Sequence, residues 1–572
     1  MAPHAHIRSL RPEGVLASLG LPGAGSEAPH ALLNQPVLVL GHGISGRAMA
    51  RWCSQLGAQV TLADTREQPE RMAQLRAELP GVEVLAAPFD RVLMDRQPWA
   101  LVCKSPGLSP AQLAGVQGPA AEKGVPVLGE LALWADGLPL VYAAAGFTPK
   151  VLAITGTNGK TTTTSLTGLL LERAGWRVAV AGNIGPSLLD VLLDAWNAEK
   201  NSTSSHDSKE VVATEPEEIQ SEPESTLPQA WVLELSSFQL DGVPIGVTDA
   251  ATGFEPTAAT VLNITQDHLD WHGSMDAYAS AKQRVYGAAG IQVLNREDAA
   301  VMAQARNPAQ AAPSPVTFGT DLPIRSGDWG LEVVHGMAWL VRAQPADETQ
   351  AKPKRRVAAK TAAHVAAEPE ELVLQRLMPA DALRIRGRHN ASNALAALAL
   401  ATAAGAPLAP MLHGLREYRG EPHRVEPVGR VNGVEFFDDS KGTNVGATLA
   451  AIKGLGADRK LVLILGGDGK GQDFSPLAEP VAQHVQAVVL IGRDAGRIRQ
   501  ALADAGVPLH DAPDLAAAVH MAFAQAKEGE AVVMSPACAS LDMFQNYAHR
   551  AEVFCAAVAD LATEQGVTGV GA

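Results

Sequence analysis

A glycine-rich segment, VLAITGTNGKTT, has residue types and spacing that suit phosphate binding. Gly156 and Gly159 open the backbone, and Lys160 and Thr161 stand where a helix would begin. Amide groups of such a loop point inward, and the helix N-terminus favours negative charge. Lys160 could then reach the β- and γ-phosphates of ATP while the Thr161 hydroxyl ligates Mg²⁺. The general phosphate-loop pattern requires a glycine where Ile154 stands, so only the shorter form TGTNGKT is present.

A second glycine pattern, GHGISG, follows the apolar stretch PVLVL. Its glycines, from Gly41 to Gly46, and Asp64 after the next apolar stretch fit the dinucleotide-binding fingerprint. Taken alone, this pattern predicts an NAD-dependent dehydrogenase. We keep this different class of enzyme as an alternative hypothesis. A UDP-sugar suits the same geometry, with its diphosphate at the helix start and Asp64 at the uridine. A dehydrogenase has no need of a phosphate loop for ATP, so the dehydrogenase hypothesis is disfavoured.

Glu234 is a charged residue at the end of the apolar stretch AWVLEL. A carboxylate at the point where a buried strand stops is a natural ligand for Mg²⁺. Metal and cations stabilise the charge on a transferring phosphoryl group. These residue types therefore indicate phosphoryl transfer from ATP.

Three successive strand–helix units must position these residues. The first runs through PVLVL, QVTLADT and ALVCKSPG, the second through VLAIT, RVAVAGN, AWVLELS and ATVLNI, and the third through LVLILGG, AVVLIGR and AVVMSP. Strands that alternate with helices predict parallel α/β sheets. We predict an α/β protein with a Rossmann-like domain over 1–148, a central phosphate-loop domain over 149–420 and a second Rossmann-like domain over 421–572.

Two polar stretches within the second unit, at about 197–229 and 343–370, are predicted to be disordered insertions. The first is rich in Ser, Glu and Pro, and the second contains KPKRR. Neither has enough apolar surface to offset the entropy of ordering. A basic cluster can be a targeting or nucleic-acid signal, but we interpret this one as a solvated loop.

Composition excludes several classes of protein. The formal charge of −15 disfavours a generic nucleic-acid partner, which normally needs a basic surface. The four cysteines form no CxxC pair, and no apolar run approaches the ~20 residues of a membrane helix. The N-terminal sequence does not look like a secretory signal. We expect a cytoplasmic protein that has no membrane span.

The shorter phosphate loop resembles that of the Mur ligase family and of the related folylpolyglutamate synthases. Further motifs of the family follow in series, covering nearly the whole chain outside the two insertions. They are GNIG at 182–185, LELSSFQL at 233–240, LNITQDHLDWHG at 262–273, YASAKQRVY at 278–286, GRHNASNALAA at 387–397, EPHRVE at 421–426, DDSKGTNVGAT at 438–448, GGDGKGQDFSPL at 466–477 and SPACASLDMFQNYAHR at 535–550. The last two look most like the members that add D-glutamate, and the Asp-Asn-Pro-Arg motif of the diaminopimelate- or lysine-adding members is missing.

The resemblance implies a catalytic centre of Lys160, Glu234, His268 and Lys282, with Mg²⁺ held by Thr161, Glu234, His268 and Lys282 as its carbamate. Carbamylation turns the lysine from a cation, which would oppose the metal, into an anionic ligand. The implied ATP contacts are Gly156, Thr157, Asn158, Gly159, Lys160, Thr161, Thr162, Asn390, Asn393, Arg424, Asp439 and Lys441. Because they come from both the second and third domains, we expect these domains to close over the nucleotide and exclude water.

The resemblance also implies where the other substrates bind. Contacts to the UDP-linked precursor are Ile44, Ser45, Asp64, Thr65, Arg66, Gly107 and Asn183. Contacts to D-glutamate are Thr443, Lys470, Ser540, Leu541 and Tyr547, the last standing where the family usually has Phe.

The implied enzyme is a monomeric, ATP-dependent ligase of peptidoglycan synthesis that joins D-glutamate to UDP-N-acetylmuramoyl-L-alanine through an acyl phosphate. A ligase of the same family with another amino acid is an alternative. A catalytically inactive nucleotide-binding regulator is disfavoured because Lys160, Glu234, His268 and Lys282 are all present.

Overall fold

The computed structural model describes residues 32–183, 185–207, 225–242, 254–306, 314–346, 371–385, 387–457 and 459–567. They form three sheets, each flanked by helices, which confirms the predicted α/β class with three domains. The bounds proposed for the domains stay a prediction. No helix within these residues has the length and hydropathy to cross a bilayer.

The first domain is a parallel sheet in which the direction of strand addition reverses. Its elements are β1 (Pro36–Leu40), α1 (Ile44–Gln55), β2 (Gln59–Asp64), α2 (Pro69–Glu78), β3 (Glu83–Ala86), α3 (Arg91–Asp95), β4 (Leu101–Lys104), α4 (Pro110–Glu122), β5 (Val127–Gly129) and α5 (Glu130–Val141). The order β3-β2-β1-β4-β5 reverses between β1 and β4, and all pairs are parallel. A ligand crevice is expected outside the carboxyl ends of these two strands.

The middle domain has a nine-stranded sheet. Its elements are β6 (Lys150–Thr155), α6 (Lys160–Arg173), β7 (Val178–Gly182), α7 (Leu188–Asp207), β8 (Ala230–Glu234), α8 (Ser237–Asp241), β9 (Ala258–Val261), α9 (Leu269–His272), α10 (Met275–Gln283), β10 (Ile291–Asn295), α11 (Ala299–Met302), β11 (Val316–Phe318), β12 (Trp329–Val334), β13 (Met337–Pro345), β14 (Leu372–Pro379), α12 (Arg388–Ala403) and α13 (Leu408–Glu417).

Its strand order is β14-β13-β12-β11-β10-β9-β6-β8-β7, with antiparallel pairing only where β13 meets β12 and β14. The carboxyl ends of β6, β7, β8 and β9 lie at one edge of the sheet. The phosphate loop, Asn183, Glu234 and the LNITQDH segment therefore meet there.

The third domain has a six-stranded sheet in the order β15-β16-β20-β17-β18-β19. Its elements are β15 (Glu426–Val431), β16 (Val434–Asp438), α14 (Val445–Leu455), β17 (Leu461–Gly466), α15 (Ala478–His484), β18 (Val485–Ile491), α16 (Ala495–Ala501), β19 (Leu509–Asp511), α17 (Leu515–Gln525), β20 (Ala531–Met534) and α18 (Tyr547–Glu564). Only β15 is antiparallel to its neighbour. The three loops that begin DSKGTN, GDGKG and SPACAS leave the carboxyl ends of β16, β17 and β20 at the same edge.

The first and middle domains share one apolar core. A continuous cluster of buried side chains crosses from α1 and α5 to α7 and β8. Trp134 lies edge-on to Trp231 at 5.4 Å between ring centroids, and Trp52 contacts Trp196 at 5.7 Å. The third domain has its own clusters, one on each face of its sheet.

The bounds of both predicted insertions need correction. Helix α7 continues to Asp207, so the first part of the stretch 197–229 is helical, and β13 includes the first residues of the stretch 343–370. Residues 225–229 are also described and lead into β8. Residues 208–224 and 347–370 lie outside the described part of the chain, so the prediction for them is untested.

Candidate active site

The phosphate loop has the backbone geometry that its glycines predict. Gly156 and Gly159 have φ values of +154° and +82°, in the region that favours glycine. A Cβ on Gly159 would lie 2.6 Å from Asn393 Oδ1. Asn158 N donates to Asn263 Oδ1 at 2.8 Å, which ties the loop to the segment after β9. The loop therefore presents the N-terminus of α6 at the sheet edge, where an anion is favoured.

Two lysines converge on the backbone of this loop. Lys160 Nζ donates to the carbonyls of Gly156 and Thr157, each at 2.9 Å, and Lys282 Nζ donates to Gly156 O at 2.8 Å. Burial lowers the pKa of both lysines, and the charge of Lys160 lowers that of Lys282 further. Lys282 is only 2% exposed, and its pKa lies well below the usual range. A buried lysine held towards its neutral form is a reactive amine, which carbamylation requires.

Within the described part of the chain, one buried carboxylate oxygen of Glu234 has no hydrogen-bond partner. The residue is 2% exposed, and its Oε1 accepts a hydrogen bond from Asn183 Nδ2 at 3.3 Å. Its Oε2 is buried and makes no hydrogen bond. An ionised oxygen left in this state is costly, and a divalent cation would satisfy it. The residues present therefore fit a metal beside the phosphate loop.

His268 lies at the start of α9 with a left-handed backbone, φ 54°. Burial lowers its pKa, and the nearby Asp267 carboxylate, 3.5 Å from Nε2, partly opposes the shift. A neutral imidazole is the form that can ligate a metal. Thr161, the remaining predicted ligand, accepts a hydrogen bond at Oγ1 from Arg424 Nη2 at 2.5 Å.

A cleft between the middle and third domains brings most of the predicted ATP residues together. Its lining includes Asn158, Gly159, Thr162, Asn390, Asn393, Arg424 and Asp439, together with apolar side chains of α14. Asn393 Nδ2 donates to Asn390 Oδ1 at 3.2 Å on α12. A planar amide pair beside alanines suits a nucleobase, while Arg424 reaches the phosphate loop.

Asp439 and Lys441 have perturbed pKa values in this cleft. Burial raises the pKa of Asp439 to about 7, although Ser535 Oγ donates to its Oδ2 at 2.6 Å. Burial and then the charge of Arg424 lower the pKa of Lys441 to about 8. Perturbed groups gathered in a cleft are typical of a functional site.

The predicted D-glutamate residues lie on the three loops at the carboxyl edge of the third sheet, except Tyr547, which is the first residue of α18. A bridge between Asp468 and Ala539 holds the loops of Lys470 and Ser540 side by side. Lys441 Nζ lies 4.8 Å from the ring centroid of Tyr547, which brings the DSKGTN loop to the start of α18. Thr443 lies in the same DSKGTN loop, and Leu541 is 71% exposed.

The predicted UDP residues surround the crevice of the first domain, with one exception. A Cβ on Gly46 would lie 1.8 Å from Gly41 O, so only glycine fits there. Ile44 and Gly107 are exposed at the crevice, Ser45 lies on the same turn, and Thr65 lines a cavity with Phe89 and Gln112. Asn183 instead belongs to the middle domain, at Glu234.

Asp64 is already saturated by protein donors. Arg66 donates to it through N, Nε and Nη2, and His42 N donates as well, at 2.9–3.0 Å. Burial raises the pKa of Asp64, but these bonds outweigh burial and lower it to about 2. A uridine would therefore meet the Asp64–Arg66 pair and not a free carboxylate.

The structure adds two residues that the sequence did not single out. Asp267 is the countercharge shared by Lys160, His268 and Lys282. Asn444 exchanges side-chain hydrogen bonds with Asn158, at 3.2 and 3.3 Å, across the domain boundary. Asp267 lies in the motif TQDHLD and Asn444 lies in DSKGTN, each close to a predicted site residue. This proximity in sequence could have pointed to them.

Comparison with known proteins finds similar sequences in one protein family. Residues 35–129 match the Mur ligase MurD-like N-terminal domain, residues 154–331 the Mur ligase middle domain, and residues 423–538 the Mur ligase glutamate ligase domain. The UDP-N-acetylmuramoylalanine--D-glutamate ligase of Albidiferax ferrireducens is 55% identical over 95% of this chain and 99% of its own. That of Burkholderia pseudomallei strain 668 is 55% identical over 93% of this chain and 98% of its own.

Among solved structures, MurF from Acinetobacter baumannii has the same fold. It aligns with a TM-score of 0.52 and 16% identity over 94% of this chain and 93% of its own. With three domain matches in order and relatives at 55% identity over nearly the full length, the chain belongs to the Mur ligase family.

Proposed function

We propose that this chain is an ATP-dependent ligase that joins D-glutamate to UDP-N-acetylmuramoyl-L-alanine in peptidoglycan synthesis. The relatives at 55% identity are named for this reaction. The observation that carries the proposal is the unpaired carboxylate oxygen of Glu234, buried beside a phosphate loop with two converging lysines. The match of the first domain to a ligase domain removes the reason to assume a dehydrogenase.

Mg²⁺ would be held by Thr161, Glu234, His268 and Lys282 as its carbamate. Three observations support this set: the free Oε2 of Glu234, the lowered pKa of the buried His268 and the low pKa of Lys282. The metal would neutralise phosphate charge during phosphoryl transfer. As an ammonium, Lys282 would repel a cation, so its carbamylation is part of the proposal.

The protein residues perform the remaining work of the reaction. Lys160, Arg424 and the amides at the start of α6 bind the phosphates and stabilise charge on the transferring phosphoryl group. Transfer to the alanyl carboxylate releases ADP and leaves an acyl phosphate. The amine of D-glutamate, held at the loops of Lys470 and Ser540, attacks its carbonyl and releases phosphate.

Water must be kept from the acyl phosphate, and the site lies where two domains meet. Arg424 and the Asn158–Asn444 pair already join the third domain to the phosphate loop. Closure of these domains over the nucleotide would exclude water. The proposed enzyme acts as a monomer in the cytoplasm.

Phosphate release from ATP tests this function directly. The purified chain, with Mg²⁺ and UDP-N-acetylmuramoyl-L-alanine, should release phosphate only when D-glutamate is added. Candidate amino acids are supplied one at a time, and Lys160→Ala serves as the inactive control, since its UDP-precursor binding should persist. Release with a different amino acid would keep the ligase and reject the D-glutamate assignment. A change in NADH absorbance without phosphate release would restore the dehydrogenase hypothesis.

A further inference from the structure

Lys104 is a buried cation at the ligand edge of the first sheet. It ends β4, pairs in register with Leu40 at the end of β1, and is 7% exposed. Strand order reverses between these two strands, so Lys104 lies at the crevice where such sheets bind ligands. The next residue, Ser105, donates from Oγ to Gly41 O in the glycine turn, at 3.2 Å.

Among the described residues, Lys104 makes no hydrogen bond and no ion pair. Its side chain crosses towards the middle domain, with Cε 3.3 Å and Nζ 3.7 Å from where a Cβ on Gly242 would stand. The Asp241 carboxylate attracts it at longer range, but Arg284 Nη1 already bonds that carboxylate at 3.2 Å. Burial accordingly lowers the pKa of Lys104. An unpaired buried cation destabilises the free protein, which an anionic ligand would relieve.

The other cations at this crevice are neutralised. Arg66, the only charged donor among the predicted UDP contacts, is bound to Asp64. On α1, Arg47 pairs with Glu78, and Arg51 pairs with Asp190. Among the side chains that the structure describes, a diphosphate at the glycine turn would therefore find no unpaired charge other than Lys104, besides the helix amides.

We propose that the Lys104 ammonium binds the diphosphate of the UDP-linked precursor. This assignment rests on the proposed function, which supplies a nucleotide diphosphate as ligand. The precursor has one other anionic group, the alanyl carboxylate, which must reach Glu234 and Lys160 to be phosphorylated. Lys104 contacts the far end of α8 from Glu234, about 7 Å along the helix, and its neighbour Ser105 contacts the glycine turn. The diphosphate is therefore the group within its reach.

Lys104→Met tests the proposal, because methionine keeps the apolar stem and removes the charge. Binding of UDP, of the complete precursor and of uridine is measured by calorimetry and by ligand-observed NMR. UDP and the precursor should bind at least about tenfold more weakly to the variant, while uridine binds equally well. Without ligand, the variant should melt at the same or a higher temperature, since an unpaired buried charge is gone.

Lys123→Met is the matched control in the same domain. Lys123 Nζ is paired, at 2.9 Å from Met94 O and 2.7 Å from Asp95, away from the crevice. Its loss should leave all three affinities unchanged.

Three results would overturn the assignment. The first is an unchanged affinity of Lys104→Met for UDP. The second is an equal loss of affinity for uridine in that variant, together with a lower melting temperature. The third is the same loss of UDP affinity in Asp241→Asn, which would mean that Lys104 acts through Asp241. A wild-type chain that binds UDP in this manner but shows no D-glutamate-dependent phosphate release would reject the proposed function and leave the Lys104 assignment standing.

Discussion

At the residue scale, the candidate site consists of charged side chains placed where ligands of opposite charge, phosphates and a metal ion, would bind. Lys160, Lys282 and Arg424 converge on the phosphate loop, and the loop carbonyls satisfy the two lysines in the free protein. Glu234 has one free oxygen on the same edge. Such preorganised charges cost stability in the free protein and act strongly in a water-poor cleft. Removing one of these charges should therefore lower the activity without lowering the stability of the free protein.

Glu234→Gln is the cleanest case. Asn183 can still donate to the amide oxygen, but the neutral side chain no longer attracts a divalent cation. We expect D-glutamate-dependent phosphate release to fall at least about a hundredfold, with a raised Mg²⁺ requirement. The melting temperature without ligand should stay the same or rise, because a buried unpaired charge is lost.

Glu255→Gln is the control for this prediction. Glu255 is exposed in the same domain and accepts backbone hydrogen bonds from Ala288 and Ala289. It should keep full activity. An active Glu234→Gln with an unchanged Mg²⁺ requirement would exclude Glu234 as the metal ligand.

Asp439 should make stability fall as pH rises. Its folded pKa is raised to about 7 from 3.8, so between these values the folded state holds a proton that the unfolded state has lost. The stabilising contribution is complete below about pH 4 and is lost as pH rises to about 7. Asp439→Asn removes this dependence while Ser535 can still donate to the amide oxygen.

The test compares melting temperatures of wild type and Asp439→Asn at about pH 5 and about pH 8. Wild type should lose more stability between the two values than the variant does. Equal losses would show that Asp439 is ionised in the folded protein throughout.

The sequence predicted residues within motifs and missed contacts between them. Lys160 and Glu234 each follow an apolar stretch, which is a local signal. The bond from Arg424 to Thr161 joins two domains, and the bond from Asn183 to Glu234 joins two strands. Such contacts depend on strand order, which local patterns do not determine. Resemblance to a family supplied Lys282, since a lysine in an Ala-rich helix otherwise predicts a solvated charge.

At the element scale, strands such as β6, β8, β17 and β20 were predictable because they are continuous apolar runs that are almost wholly buried. Strands β13 and β14 were not predicted, because many of their residues are only partly buried or exposed. The C-terminal part of α7 was not predicted to be helical, because residues 197–207 are polar. The helix is anchored by buried Leu188, Leu192 and Trp196 in its first half. Once nucleated there, a helix propagates into polar sequence at little cost.

The N-terminus of α14 links local structure to the nucleotide cleft. Asn444 caps the helix by accepting from Ala447 N at 2.9 Å, and its Nδ2 donates to Asn158 Oδ1 at 3.2 Å. Asn444→Asp keeps the cap and loses the donor, so its melting temperature should stay near wild type. Its KM for ATP should rise about threefold to tenfold, because two oxygens now face each other at the phosphate loop.

Asn444→Ala loses the cap as well, which should cost a further ~1 kcal/mol of stability. Asp514→Ala, which removes the equivalent cap of α17 far from the cleft, should lower stability alone. If Asn444→Asp left the KM for ATP unchanged, the amide pair would have no part in nucleotide binding.

At the scale of the whole molecule, the two domain boundaries differ in kind. The first and middle domains are joined by a continuous apolar core that includes Trp52, Trp134, Trp196 and Trp231. The third domain contacts the phosphate loop through polar groups, such as Arg424 and Asn444. Packed cores resist sliding, whereas a few hydrogen bonds exchange readily with water. The third domain is therefore the one expected to move.

We expect its hinge to be the segment that leads into β15. Gly420, His423 and Val425 have φ values of +97°, +63° and +50°, so three residues within six positions hold left-handed backbone. Hinges are short segments of this kind that absorb large changes in backbone angle. Arg424 lies inside the segment, so binding of phosphate by its side chain is coupled to the hinge.

Two distances measured in one protein test this division. Fluorophores are placed on cysteines introduced at the exposed positions Val92 in the first domain, Ile324 in the middle domain and Asp560 in the third, with Cys555 replaced by Ser. Addition of a non-hydrolysable ATP analogue with the UDP-linked precursor should change the distance between 324 and 560. The distance between 92 and 324 should stay within about 2 Å, because moving those domains apart would expose their shared core. A comparable change in both distances would mean that the aromatic boundary is also a hinge, and that the enzyme closes from two sides.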